Sequence, residues 1–199
     1  MNSNEILKKY STDITHSKQS AKLALILFDK LKNIFANLKN YDNKKDLGLL
    51  YKGALLHDIG IKFENIYNLP HHKAGAKYIL SCSIDDIEDE DKAVLACLIR
   101  YHRKSLPNDK KYEPYKKLSI KDKAKVNFLG SIIRLSDGLD KMHLNLVDDI
   151  DVEFDNKLNV LTLKISSHIM LNTSIKDILD KKKEFFEKVF LVKVEFRSL

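Results

Sequence analysis

The sequence LLHDIG, residues 55–60, places a histidine and an aspartate side by side within an apolar stretch. Burying an ionised carboxylate such as that of Asp58 costs several kcal/mol unless charges or hydrogen bonds compensate it. The stretch therefore predicts one of two situations. Either it forms a helix edge that touches water, or Asp58 has a partner from a distant part of the chain.

Helical periodicity dominates the chain on both sides of this stretch. The protein has only 6 Gly and 3 Pro in 199 residues, so there are few breaks. Apolar residues at i, i+3 and i+4 are typical of amphipathic helices. They predict helices over 13–38, 47–58, 70–81, 85–104 and 119–144. The connecting loops are expected at 37–46 and between Pro107 and Pro114.

The pattern changes near residue 148. The segment DVEFDNKLNVLTLKIS, residues 151–166, alternates apolar and polar positions around a polar break, which predicts a β-hairpin. A helix over 174–190 and a strand over 192–196 follow. We therefore expect a mainly α fold. It consists of a helical body over 1–147 and a small α+β extension over 148–199, packed together as one compact unit.

The composition narrows the class of protein. A chain of 199 residues with 44% hydrophobic residues can bury one sizeable core. The net charge of +7 permits an anionic partner. No aromatic-interleaved basic tract or zinc-finger spacing occurs, which argues against nucleic acid as a partner.

The first residues lack a secretory signal, and no apolar run is long enough for a membrane span. Cys82 and Cys97 are typical of reduced thiols. These features predict a cytoplasmic protein without a membrane anchor.

Several histidines fall on the apolar faces of different predicted helices. A single such histidine is usually satisfied by a backbone carbonyl. Here, however, such histidines recur on several separate helices. Imidazole and carboxylate together are the ligands of hydrolytic metal sites, so this recurrence indicates a candidate metal site. The histidines concerned are His16, His57, His72 and His102, with His71 beside His72.

The predicted helix 119–144 is apolar on two sides, which indicates a central position. Asp137 and Asp140 lie on one of those apolar sides. Buried carboxylates need partners, and a metal ion would compensate both Asp58 and Asp137.

These residues, in this order, resemble the H…HD…D motif of the HD-domain superfamily, whose members are helical metal-dependent phosphohydrolases. The motif maps onto His16, His57-Asp58 and Asp137. The resemblance implies one or two divalent ions (Mn, Fe, Mg, Ni, Co or Zn) held by these four residues, with His57 and Asp58 as catalytic residues. A second ion would take His102 and either His71 or His72, with Asp58 bridging the two.

Longer segments of the sequence narrow the resemblance to one family within this superfamily. The protein closely resembles the C-terminal HD domain of the Ppx/GppA exopolyphosphatase family over nearly its whole length. In that family the phosphatase chemistry belongs to an N-terminal actin-like domain pair, so the resemblance predicts an accessory domain standing alone. The segments that carry the likeness are HSKQSAKLALILFDKL, GALLHDIG, HHKAGAKYIL, LIRYHRKSLP, IIRLSDGLDKMH and the tail KKKEFFEKVFLVKVEF.

Basic residues near the motif are candidates for phosphate binding. Arg103 and Lys104 follow His102, and Lys141 follows Asp140. Lys62 is a further candidate: many relatives read HDIGK, whereas here Ile61 follows the glycine and the lysine comes one position later. For Asp140 two roles stay open: it orients a metal ligand from behind, or it has a plain surface or capping role.

We expect a metal-dependent phosphohydrolase that acts on a nucleotide or another small phosphate ester or anhydride through metal-activated water. The alternative is a non-catalytic regulatory module that binds polyphosphate or a nucleotide and keeps a structural metal. An exposed edge of the β element makes a homodimer a further expectation.

Overall fold

The computed structural model describes residues 1–108, 110–167 and 173–199. Helices fill the chain up to residue 139, and a three-stranded sheet with one long helix completes it. The helices are α1 (Ser3–Tyr10), α2 (Ile14–Leu31), α3 (Lys44–Leu55), α4 (Glu64–Tyr67), α5 (His71–Ser81), α6 (Asp89–Tyr101), α7 (Glu113–Lys116), α8 (Ile120–Leu139) and α9 (Thr173–Phe190), and the strands are β1 (Val147–Asp155), β2 (Val160–Ser167) and β3 (Lys193–Ser198).

The mainly α class with a small C-terminal α+β element is confirmed, whereas several boundaries differ from the predictions. The predicted helix 13–38 ends at Leu31, and the predicted loop 37–46 contains a 3-10 turn over Ala36–Tyr41. Helix α3 begins at Lys44, because the side chain of Asn43 accepts a hydrogen bond from the Asp46 amide and caps it.

Helix α3 ends at Leu55, so His57 and Asp58 are not helical as expected but lie in the turn before a 3-10 helix over Ile59–Phe63. Close packing explains the break. A Cβ added at Gly60 would lie 1.9 Å from the His71 carbonyl oxygen, so the chain runs directly against helix α5 at this point. The turn brings the His-Asp pair to the start of that helix.

Helix α1 was not predicted. It has a capping box, in which the Asn2 side chain accepts from the Glu5 amide and the Glu5 carboxylate accepts from the Asn2 amide. Its apolar side chains Ile6 and Leu7 are buried. The helix was missed because it is short and because Ser3, one of its three buried residues, is polar and hides the apolar period.

Helices α6 and α8 are both shorter than expected. Helix α6 spans Asp89–Tyr101 rather than 85–104, and α8 ends at Leu139 rather than 144. Met142 and Leu144, which fall within the predicted helix 119–144, are exposed on the loop that follows.

Helix α8 is central, as its two apolar sides predicted. It packs against α2, α3, α6 and α9. Ile132, Ile133 and Leu135 are buried on successive sides of it. Gly53 of α3 permits a close approach, since a Cβ there would lie 2.8 Å from Ile133 Cδ1.

The predicted hairpin is present: β1 pairs antiparallel with β2. The third strand adds to the far side of β2 in parallel, and helix α9 connects the two. Phe185 and Phe186 of α9 are buried in the core, and α9 packs along α8. The boundary near residue 147, the homodimer and the cytoplasmic location stay predictions.

Candidate metal centre

Five helix ends and turns bring the predicted motif residues together. His16 lies in the first turn of α2, and its amide donates to the Asp13 side chain that caps the helix. His71 opens α5, and His102 follows the last residue of α6. Asp137 lies in the last turn of α8. Because these positions are at element ends rather than in helix middles, side chains from distant parts of the chain meet in one place.

The first group consists of His16, His57 and Asp137, all buried. The Nε2 atoms of the two histidines are 3.2 Å apart. Asp137 Oδ1 lies 3.5 Å from Nε2 of His16 and 3.7 Å from Nε2 of His57. One ligand atom from each residue therefore faces a common point.

The second group consists of Asp58, His71 and His102. Asp58 Oδ1 lies 3.4 Å from Nε2 of His71 and 3.4 Å from Nε2 of His102. The other oxygen, Asp58 Oδ2, lies 3.4 Å from Nε2 of His57 in the first group. The two oxygens of Asp58 thus face different groups, the arrangement that the bridging role predicted for Asp58 requires.

Hydrogen bonds at Nδ1 determine which ring nitrogens are free. His57 Nδ1 donates to the Ala54 carbonyl and His102 Nδ1 to the Ile99 carbonyl, each at 2.6 Å. Nδ1 of His16 lies 2.8 Å from Asp140 Oδ2. A neutral imidazole whose Nδ1 carries the proton presents a lone pair at Nε2. Carboxylate and carbonyl partners of this kind are typical of metal-ligating histidines.

The donor set fits a divalent cation. His102 Nε2 is buried and makes no hydrogen bond within the described residues, while its lone pair faces the anionic Asp58 Oδ1. The Nε2 atoms of His16 and His57 face each other, and Nδ1 of each ring already has another hydrogen-bond partner. In the neutral rings two lone pairs would therefore point at each other. Lone pairs and carboxylates directed at one another repel unless a cation or proton lies between them.

The electrostatics of the buried groups follow from this arrangement. Burial lowers the pKa of His16, but Asp137 and Asp140 more than offset it and raise that pKa to about 9. Burial raises the pKa of Asp58, whereas the neighbouring His57 and His102 lower it by a larger amount, so the net shift is downward. For His102 burial dominates and lowers the pKa to about 4. The centre therefore combines a carboxylate whose pKa is lowered with an imidazole whose pKa is raised.

Of the two adjacent histidines, His71 and not His72 contacts Asp58. Nδ1 of His71 lies 3.3 Å from Glu64 Oε1, a further carboxylate behind a ring. His72 is buried nearby, with its ring centroid 6.3 Å from that of His102. Burial lowers the pKa of His72 to about 3, so it is a neutral side chain behind the second group.

Lys182 of α9 reaches the centre, and sequence reasoning missed it. Its ammonium group pairs with Asp137 Oδ2, the carboxylate oxygen that does not face the histidines. Gly138 makes room for it, since a Cβ there would lie 2.9 Å from Lys182 Cγ. Nothing local distinguishes this lysine from its neighbours in the KKK run, so no sequence signal pointed to it.

His143 was also missed. Its ring stacks on that of His16 at 3.8 Å between centroids, and its Nδ1 lies 3.0 Å from Asp13 Oδ2. Together with His16 and Asp58 it forms a third set of converging ligand atoms. It lies in the exposed loop after α8, in the left-handed backbone region with φ of 56°, and this loop conformation is what turns it over His16.

The predicted phosphate-binding residues are placed unequally. Arg103 lies at the centre, with Nη1 3.1 Å from His71 Nε2. Burial lowers the pKa of Lys182 and its partner Asp137 opposes this, while the charges of Lys141 and Arg103 lower it as well. Lys62 and Lys104 are exposed, and neither side chain is joined to the His/Asp groups by a hydrogen bond or ion pair in the described part of the chain.

The fold and the centre together define a helical HD-type protein with two adjoining candidate metal groups. The family model for Ppx/GppA phosphatase, domain III, matches residues 2–182, and the chain belongs to this family. The expected resemblance is thereby confirmed. No curated protein matches the chain. Among the described helices, none combines the length and apolar character that crossing a bilayer requires.

Proposed function

We propose that the protein is a metal-dependent phosphohydrolase of the HD type that acts on a nucleotide or another small phosphate ester or anhydride. The observation that carries this proposal is the convergence of four histidine Nε2 atoms with Asp58 and Asp137. In all four rings Nδ1 faces a carbonyl or carboxylate at hydrogen-bonding distance, and in His16, His57 and His102 this leaves Nε2 free as a ligand. Membership of a phosphatase family supports it.

Two ions would divide the donors as the two groups do. His16, His57 and Asp137 would hold one, and His71 and His102 the other, with Asp58 between them. When bound, such ions supply a water of lowered pKa as nucleophile and neutralise phosphoryl oxygens. Asp140 and Glu64 keep the rings of His16 and His71 oriented from behind.

Three cations of the chain would serve the substrate. Arg103 lies beside the second group, Lys182 pairs with Asp137, and Lys141 follows shortly after the end of α8. Guanidinium binds phosphate oxygens in a bidentate manner, whereas ammonium acts as a point charge. These residues would orient a phosphoryl group against the centre and stabilise the negative charge on its oxygens. Lys62 and Lys104 are not part of this proposal, because both are exposed and separate from the centre.

A regulatory module is the second candidate, and one observation favours it. Lys182 already pairs with Asp137, and Arg103 already contacts His71. These protein cations supply part of the positive charge that the carboxylates need. A centre balanced in this way can bind polyphosphate or a nucleotide and hold a structural ion without turnover.

Metal analysis of the purified protein, combined with a substrate panel, separates the two candidates. The panel contains nucleotides, cyclic dinucleotides, para-nitrophenyl phosphate esters and polyphosphate, each with Mn, Mg, Ni or Co. Asp58→Ala is compared with the control Asp177→Ala, which removes an exposed carboxylate from α9. We expect bound metal and turnover that only Asp58→Ala abolishes. Protein without metal and without turnover would rule out the enzyme. Phosphate-ligand binding without turnover that survives Asp58→Ala would support the regulatory module.

A further inference from the structure

A second cationic groove lies apart from the candidate metal centre, between helices α5 and α6. It has a volume of about 360 Å³. We call it the α5–α6 groove. Its lining residues are Leu69, Lys73, Lys77, Leu80, Arg100 and Tyr112.

The groove and the metal centre use different sides of the same two helices. An α-helix turns about 100° per residue, so side chains two positions apart are separated by about 200° around the helix axis. They therefore lie on nearly opposite sides of the helix. Lys73 is two residues beyond His71 on α5, and Arg100 is two residues before His102 at the end of α6. Each helix thus directs a histidine to the metal centre and a cation to the groove.

Two of the three cations of the groove lie over aromatic rings, and none of the three has an acidic partner within the described residues. The Arg100 guanidinium lies 4.1 Å from the centre of the Tyr112 ring, and Lys77 Nζ lies 4.6 Å from the centre of the Tyr67 ring. Within the described residues no carboxylate pairs with Lys73, Lys77 or Arg100, and Arg100 Nε is buried without a hydrogen-bond partner. Three positive charges on one concave surface repel one another unless an anion lies between them.

The nearest acidic side chain in sequence is directed elsewhere. Glu113 follows Tyr112, but its carboxylate lies 3.7 Å from Lys116 and 3.9 Å from Lys117. The remaining walls are apolar, formed by Leu69, Leu80 and the Tyr112 ring. The groove therefore combines three cationic side chains with apolar surface, and its volume of about 360 Å³ exceeds what a bare phosphate ion would fill.

We propose that the α5–α6 groove binds an organic phosphate, with the phosphate on Lys73, Lys77 and Arg100 and an apolar or aromatic portion against Leu69 and Leu80. A nucleoside monophosphate has this chemistry, and ligand sites of this kind combine apolar walls with a few placed polar groups. The site is independent of metal binding and of turnover at the His/Asp centre.

Calorimetric titration with AMP tests the proposal, with inorganic phosphate and adenosine as the two partial ligands. We expect AMP to bind wild type and Asp58→Ala with the same affinity, at least tenfold more tightly than either partial ligand. The double variant Lys77→Gln/Arg100→Gln should weaken AMP at least tenfold. The control Lys121→Gln/Lys157→Gln, which removes two exposed lysines elsewhere, should leave the affinity unchanged.

A second readout locates the ligand even if a variant folds poorly. In amide NMR spectra of the wild-type protein, AMP should shift signals of Lys77, Leu80 and Tyr112. Shifts confined to residues around His16 and Asp137, or binding lost in Asp58→Ala alone, would place the anion at the metal centre and overturn the proposal. Equal weakening by the control pair would reduce the groove to general surface charge and overturn it as well.

Discussion

Lys182 and Asp137 form an ion pair between α9 and α8, although 45 residues separate them in the chain. The lysine binds the carboxylate oxygen Oδ2, while Oδ1 faces His16 and His57. The C-terminal extension therefore contributes directly to the candidate metal centre and does not only cover the helical body. The centre cannot form completely until α9 has packed on α8.

Removing this lysine should destabilise the metal-free protein. Lys182→Met leaves Asp137 buried and without its ammonium partner, and breaking a buried pair in this way typically costs about 3–5 kcal/mol. Urea unfolding should show this loss, and added Mn should recover part of it by binding Asp137. Lys181→Met, an exposed neighbour, is the control. A loss of equal size in the control would contradict the assigned pair.

Gly138 should be intolerant of a methyl group. Gly138→Ala places a Cβ 2.9 Å from Lys182 Cγ and 3.1 Å from its Cβ, and overpacking of this kind costs about 1–3 kcal/mol. The better helix propensity of alanine offsets at most about 1 kcal/mol of this. Gly48→Ala in α3 is the matched control, because nothing lies within 4 Å of its added Cβ. We expect thermal unfolding to show a lower Tm for the first variant and a raised Tm for the second. Equal shifts would argue against the contact.

Asp86 should make stability depend on acid pH independently of any metal. Burial raises the pKa of Asp86. Hydrogen bonds from the Ser3 amide and hydroxyl, and then the charge of Lys52, lower this pKa by more, so the net shift is downward. A depressed carboxyl pKa stabilises the fold above the unfolded-state pKa of about 4, and this contribution is lost as pH falls through the folded-state value. In urea unfolding, the free energy of unfolding of wild type should exceed that of Asp86→Asn at pH 7. This difference should close as the pH falls below about 4. A constant difference across this range would contradict the assignment.

Binding of the second proposed ion should depend on His102 but not on His72. His102→Ala should lose one metal equivalent in elemental analysis of dialysed protein, because Nε2 of His102 is a free donor facing Asp58. His72→Gln should keep the full number, since the His72 ring lies outside both groups. Loss of metal in both variants, or in neither, would argue against a second ion at this position.

Asp140 should tune affinity without changing stoichiometry. Its Oδ2 accepts from His16 Nδ1 at 2.8 Å, and its Oδ1 accepts from the Asn145 amide. Loss of a carboxylate behind a ligating histidine typically weakens metal binding by about 10- to 100-fold. Asp140→Asn should show this in calorimetric Mn titration at an unchanged number of sites. Unchanged affinity would leave Asp140 with the capping role alone.

The sequence by itself determined the class of fold and predicted most of the residues that meet at the candidate metal centre. The helical periods, the alternating hairpin and the order of His16, His57-Asp58 and Asp137 are local or nearly local signals, because they depend on which face of one element a residue occupies. Even the unexpected end of α3 leaves His57 and Asp58 side by side. A residue type that is costly to bury was therefore informative before any partner was known.

Only the tertiary structure decided which neighbours complete the centre. His71 and His72 are adjacent in sequence, and the close packing of Gly60 against α5 determines that His71 contacts Asp58. Lys182 is one of three consecutive lysines, and the packing of α9 on α8 determines that it pairs with Asp137. The physical reason is common to both cases. Local propensity depends on a residue and its near neighbours, whereas a buried charge is stabilised by groups that only long-range packing brings within a few ångströms.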